Sequence, residues 1–328
     1  MGLVVGDQLA LEVEDPYGSG QPIPGPEALA RLLTVISFDR NAPSGQGRGM
    51  DRAGGAFATQ IFAAAAEHVA PLSRHSSAIL SVATALKDCR HITVMREPNS
   101  TPAGKVEQQF TIHSRSDAHD AAAALRQLRA GEHSFFMIVN CNFGAAHMVG
   151  LSMTKIADDL ARVSFVNPID KAVGRFIDVP SDRIRQGMAT FFSGEVFKDV
   201  SEKFDIASAK EISEIPTLPE SSTIFTEWMK SLVPGRPLSN DYFDGQPFLQ
   251  QPQKGGSCVV EAAFALMATT LPRDAYKLTK AACLSTVLAM GQATGVVSPA
   301  QQARIEERMG SAWRGIGSAP QLAKFRRN

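Results

Sequence analysis

The run Gln253-Lys254-Gly255-Gly256-Ser257-Cys258 leads straight into Val259-Val260-Glu261-Ala262-Ala263-Phe264-Ala265-Leu266, an apolar stretch of helical character. A thiol at a helix N-terminus faces backbone N–H groups that lack intrahelical acceptors, and the positive end of the helix dipole. Both favour the thiolate, the nucleophilic form of cysteine. The two glycines let the main chain pass close to a bound substrate. A glutamine a few residues upstream, Gln253 or Gln251, can donate a hydrogen bond to an oxyanion beside the sulfur. The competing reading is a buried cysteine that merely opens a core helix. The glutamine-to-cysteine context favours the nucleophile.

A cysteine nucleophile needs a base, and the base needs an orienting partner. His147 opens a strand candidate over 147–155, directly after the small residues Gly144-Ala145-Ala146. Asn167, 20 residues on, ends a second strand candidate over 162–167. A turn at Ala157-Asp158-Asp159 joins them as a hairpin and puts positions 147 and 167 near the same open end. Asp170, beyond Pro168-Ile169, is the carboxylate alternative. Either oxygen can accept the imidazole N–H and fix its tautomer. Ordinary turn chemistry also explains Asn167-Pro168-Ile169-Asp170. His68 and His75 fall on helices, and His113, His119 and His133 at element ends, where they read as polar residues without a chemical role. His91 opens a strand but has no Asn or Asp on a neighbouring strand to match it.

The elements that must position these groups follow from periodicity and punctuation. Helices are expected at about 54–70 and 73–87, strands at 91–96 and 106–113, and a helix from Ser116 to about Ala130 stopped by Gly131. A third strand is expected at 134–140, ahead of the hairpin. Residues 14–28 and 41–55 read as extended loops; Gly45-Gln46-Gly47-Arg48-Gly49 lacks the Gly-Lys-Ser/Thr ending of a phosphate loop. Residues 171–250 are mildly acidic and hold Pro180, Pro216, Pro219, Pro234 and Pro237, with helical pieces near 181–192 and 222–232. They read as an insertion or substrate-facing subdomain. The C-terminal part is helical: 258–270, about 274–290, and a helix begun by the capping box Ser298-Pro299-Ala300-Gln301.

Composition narrows the function classes. The 328 residues are 44% hydrophobic and 20% charged, enough for a sizeable core. Thirty-three basic residues balance thirty-three acidic ones, so no strongly electrostatic nucleic-acid or membrane partner is expected. Four cysteines, none in a C-x-x-C pair, exclude a disulfide scaffold and a zinc ribbon. Neither a cofactor nor a metal is expected. The segment Met1-Gly2-Leu3-Val4-Val5-Gly6-Asp7 lacks a basic start and a long apolar core, so no cleaved signal peptide is expected. No apolar run reaches the roughly 18 residues of a transmembrane helix, which predicts a soluble chain.

In the order His147, Asn167 or Asp170, Gln253 or Gln251, Cys258, the chain resembles the ubiquitin-like-protein peptidases and adenovirus-type proteases. That clan also holds bacterial effector proteases and acetyltransferases. Gly-Gly-Ser-Cys before an apolar helix is similar to the papain signature too, although papain places its cysteine first. The resemblance covers residues 134–167 and 248–270. Met148 stands where the family carries Trp, and Ser257-Cys258-Val259 where it carries Asp-Cys-Gly. The resemblance implies an α+β, papain-like cysteine-protease fold, a small antiparallel sheet packed on the helix that starts at Cys258. The expected organisation is a mainly helical region with a hairpin over 1–115, then a catalytic domain over 116–328 with an insertion at about 171–250. The implied activity is that of a thiol peptidase or isopeptidase, a deubiquitinase or ubiquitin-like-protein protease. The implied partner is ubiquitin, a ubiquitin-like modifier or another host protein, met by an effector secreted into a host-cell cytoplasm. An acetyltransferase using the same site with acetyl-CoA, and an inert binding module with a structural Cys258, are the other readings. The scarcity of clustered Lys and Arg near the site favours the peptidase over the acetyltransferase.

Overall fold

A computed structural model describes residues 25–37, 52–100, 106–113, 128–142, 145–167, 175–192, 217–240, 242–243, 246–247 and 258–313. In chain order, the principal elements begin with α1 (Gly25–Ile36), α2 (Arg52–Val69), a 3-10 turn at Ala70–Leu72 and α3 (Ser76–Lys87). Six strands follow: β1 (Arg90–Ser100), β2 (Val106–His113), β3 (His133–Asn142), β4 (Ala145–Ala157), β5 (Leu160–Val166) and β6 (Arg175–Pro180). Then come α4 (Ser181–Phe192), α5 (Thr217–Leu232), the short strand β7 (Ser239–Asn240), α6 (Cys258–Ala268), α7 (Arg273–Thr294) and α8 (Pro299–Trp313). The fold class is α+β.

The chain divides into two compact units. A helical unit comprises Met1–Asp88, Phe243–Gln246 and Gln253–Asn328, and a sheet unit comprises Cys89–Tyr242 and Pro247–Pro252. The division follows Asp88 rather than residue 115 because β1 and β2 are not a hairpin of the helical region. They are strands of the sheet, β1 lying between β2 and β3.

The sheet runs in the order β2-β1-β3-β4-β5-β6-β7. Its β1–β3 pair is parallel and every other neighbour antiparallel. The β4–β5 hairpin turns where expected, with Ala157 opposite Leu160, and a register shift interrupts it between Lys155 and Ala157. Side chains two apart share a face of a strand. On one face Phe136, Val149, Leu151, Met153, Ala161, Val163, Phe165, Ile177 and Val179 form a core with Ile184 of α4 and with Phe225, Trp228, Met229 and Leu232 of α5. Phe165 stacks on Phe225 with centroids 4.8 Å apart. On the other face Phe135, Met137, Met148, Ser152, Ser164 and Val166 are also buried, with Ser152 directly opposite Ser164. Within 171–250, the stretch expected as an insertion, β6 extends this sheet and α4 and α5 cover it. Their apolar residues complete the core instead of forming a separate body.

In the helical unit α6 is buried along its whole length. It packs against α2 and α7, and Phe264 stacks on Phe62 at 5.0 Å. Helix α7 runs past Gly291 to Thr294 and stops at Gly295, whose φ of 69° suits a left-handed C-cap. Gly291 lies inside the helix, where a Cβ would press on Leu33 of α1. Helix α8 opens with the expected capping box: the Ser298 N–H donates to Gln301 Oε1 at 3.0 Å, and the Gln301 N–H to Ser298 Oγ at 3.2 Å. The Gln301 amide also donates to Thr34 Oγ1 at 3.3 Å, which ties this cap to α1.

Helices α2 and α3 match the expected ones, and α1 is an addition: residues 25–28, expected in a loop, form its first turn. Residues 52–55 likewise belong to α2 rather than to a loop. The expected helix from Ser116 lies outside the described residues up to 127. Residues 128–132 turn into β3 with Gly131 at φ 87°, its N–H donating to the Lys155 carbonyl at 2.7 Å.

Helices α4 and α5 approach closely at Gly187, whose carbonyl accepts from Trp228 Nε1 at 3.0 Å. A Cβ there would overlap the Leu232 side chain. Gly187→Val is therefore expected to destabilise the sheet unit by about 1–3 kcal/mol through overpacking. Urea unfolding followed by Trp fluorescence measures this; an unchanged midpoint contradicts the close packing.

Candidate active site

Cys258 is the first residue of α6, as its sequence context requires, and it is 7% exposed. It belongs to the helical unit. Gln251, Gln253, Ser257 and Asp170 lie outside the described residues. Cys89, Cys258 and Cys283 are thiols rather than members of disulfides. Burial pushes the Cys89 thiol far above its ordinary range, with a hydrogen bond from the Met137 backbone pulling weakly the other way. Burial does the same to Cys283, against its own backbone N–H and the Lys280 amine. The Cys283 S–H points to the Phe62 carbonyl, 3.8 Å away. Both thiols are held in the neutral form, unsuited to nucleophilic work at neutral pH, Cys283 within the core and Cys89 half-buried. Cys141 lies on β3, with its side chain outside the described residues.

His147 and Asn167 belong to the sheet unit. His147 lies on β4 opposite Asn140 of β3. Asn167 follows the last residue of β5, one step beyond the Gly150–Val166 pair. This register sets Asn167 across from position 149, so the backbone positions of His147 and Asn167 share one end of the hairpin. They are offset by two residues, about 7 Å along the strand. Asn167 is 4% exposed, a buried amide at the end of a strand. The structure thus brings these two positions to the same end of one hairpin, and places Cys258 at the start of a helix in the other unit.

Two charged residues escape a reading based on nucleophile, base and oxyanion donor. Glu261, three residues after Cys258, is 1% exposed and pairs with Arg308 of α8 at 2.5 Å. The signal for Glu261, though not for which cation meets it, was present: a single acid within an apolar helix must find a cation if the helix is buried. Among the described residues, no group of three or more His, Cys, Asp or Glu side chains could hold a metal ion, and no helix is long and apolar enough to cross a membrane. No family model, curated protein or solved structure matches the chain.

His133, at the start of β3, is a partly buried sheet residue whose Nδ1 lies 2.8 Å from Thr154 Oγ1. Burial lowers its pKa from the ordinary 6.5 to about 4, with nearby Glu132 pulling it back up. The folded state therefore takes up this proton at lower pH than the unfolded chain does. Its contribution to stability is full above about pH 6.5 and is lost as the pH falls toward 4, a change on the order of 3 kcal/mol. Unfolding free energies at pH 7 and pH 4.5 should differ less in His133→Gln than in the parent chain. Equal pH dependence in the two proteins contradicts the neutral, buried imidazole.

Proposed function

We propose that the chain is a cysteine-nucleophile hydrolase of papain-like design, a peptidase or isopeptidase with Cys258 as nucleophile and His147 as base. Asn167 or Asp170 orients the imidazole. Gln253 or Gln251, together with the Cys258 N–H, stabilises the oxyanion. The observation that carries this reading is the place of Cys258 at the N-terminus of a helix buried along its whole length. Two supports stand beside it. Cys89 and Cys283 are driven away from the thiolate by burial, and the β4–β5 register sets positions 147 and 167 at a common hairpin end.

The chemistry is thiol acyl transfer. The Cys258 proton passes to His147, the sulfur bonds to the scissile carbonyl carbon, and the C–N bond breaks as the imidazolium returns its proton to the leaving amine. Water then hydrolyses the thioester, releasing the acid and the free thiol. The substrate class, a host protein or the C-terminal tail of a ubiquitin-like modifier, and delivery of the chain into a host cell rest on the family resemblance.

Brief iodoacetamide treatment at neutral pH should modify Cys258 ahead of Cys89 and Cys283, as read by peptide mapping. An electrophilic ubiquitin or SUMO C-terminal probe should bond to Cys258 and not to Cys258→Ala. In a cleavage assay His147→Ala should lower the rate by about 10²–10⁴. Preferential labelling of Cys89 or Cys283 would remove the assignment. Cys258-dependent acetyl transfer from acetyl-CoA without cleavage would make the protein an acetyltransferase, and silence in both assays would make it a binding module.

A further inference from the structure

Glu261 is the only charged residue of α6. A buried carboxylate is costly unless paired and hydrogen-bonded, and Arg308 pairs with this one. Arg308 Nη2 donates to Glu261 Oε1 at 2.5 Å, while Arg308 Nη1 donates to the Ile36 carbonyl at 2.5 Å. Arg308 thus joins α8, the end of α1 and the first turn of α6. Its guanidinium carbon lies 5.9 Å from the Phe264 ring centroid; Lys280 Nζ lies 4.9 Å from that centroid and 5.7 Å from that of Tyr276.

Residues three apart on a helix are neighbours on one face, with Cβ atoms about 5–6 Å apart. Glu261 therefore sits one turn from the Cys258 sulfur. Its charge has the wrong sign there: the helix N-terminus favours a thiolate, and an uncompensated carboxylate opposes it. Among the described residues, the titratable groups shown to act on Glu261 are Arg308 from α8 and Tyr276 and Lys280 from α7, with Cys283 beside Lys280. Burial raises Tyr276 and Cys283, which stay neutral. Burial lowers Lys280, with Glu261 acting to raise it and Arg308 to lower it further.

We propose that Arg308 is a positioning residue for the Cys258 thiol, cancelling through its buried ion pair the carboxylate charge that α6 carries one turn from the sulfur. The inference rests on the reading of Cys258 as nucleophile, and it assigns a role at that site to a residue 50 positions away in sequence.

The test is the pH profile of Cys258 alkylation by iodoacetamide, read by mass at that peptide, in the parent chain, Arg308→Gln, Glu261→Gln and the double variant. Circular dichroism confirms that each is folded. Arg308→Gln should move the midpoint up by about one pH unit and Glu261→Gln should move it down by about as much, with the double variant between them. A pair that serves structure alone would lower the melting temperature and leave all midpoints together, and that result overturns the proposal. If Arg308→Gln fails to fold, Glu261→Gln decides, since its amide still accepts from Arg308: no downward shift overturns the proposal. A parent midpoint no lower than an ordinary cysteine's, about 8.5, counts against the nucleophile reading instead, whatever the variants do.

Discussion

The helical unit depends on a single constraint: α6 must be enclosed on every side. Ten of its eleven residues are apolar, counting cysteine and alanine, so no face of it can be left toward water. Burying a Val, Leu, Phe or Met side chain stabilises by about 1.5–3 kcal/mol. That gain is realised only when neighbours come close on all sides. Helices α2 and α7 do so along its flanks, and the Phe62–Phe264 stack shows how near α2 comes. The eleventh residue, Glu261, is the exception that adds direction. Its pair with Arg308 ties the Glu261 face of α6 to α8.

The sheet unit meets a related constraint with a different period. One set of alternate residues in β3 to β6, including the odd positions of β4 and β5, packs against α4 and α5, and the opposite face of β3 to β5 is buried as well. The apolar-rich runs at 134–140, 147–155 and 162–167 made β3, β4 and β5 legible in the sequence, and the Asp158-Asp159 turn between β4 and β5 as well. Strand β6 was not legible. Its six residues, Arg-Phe-Ile-Asp-Val-Pro, end in a proline, and only Ile177 and Val179 reach the core, too few to stand out within a proline-rich stretch. Helix α1 was hidden for another reason. Its apolar face, Leu29, Leu32, Leu33 and Ile36, has helical spacing, but it follows a segment dense in proline and glycine that reads as loop. The capping residues of α8 were legible because a cap is local: Ser298, Pro299 and Gln301 suffice.

The candidate site divides along the same line between local and distant information. That Cys258 begins a helix could be read from its neighbours, because Gly255-Gly256-Ser257 reads in sequence as a helix-interrupting run and the apolar stretch from Cys258 as a helix. That positions 147 and 167 lie at one hairpin end followed from counting back from the turn, and the register bears it out to within two residues. The partner of Glu261 could not be read in this way. Arg308 lies 47 residues further on, in a helix whose own sequence offers Arg304 equally well. In the folded chain it is Arg308, whose guanidinium also donates to the Ile36 carbonyl of α1, that reaches Glu261.

The helical unit is discontinuous: its first three helices precede the sheet, and α6, α7 and α8 follow it. On the ribosome α1 to α3 therefore emerge long before the helix they are to enclose. At about 5–20 residues per second, the 164 residues from Cys89 to Pro252 take on the order of ten to thirty seconds to synthesise. Throughout that interval Leu29, Leu32, Leu33, Ile61 and Phe62 have only the other helices of α1 to α3 to pack on, and Phe62 lacks its stacking partner Phe264. The sheet unit, nearly contiguous, can mature meanwhile. Cys258 and its helix thus act as the closing piece of the nascent chain, and a polypeptide cut short before it would present those leucines and aromatics to chaperones rather than to a core.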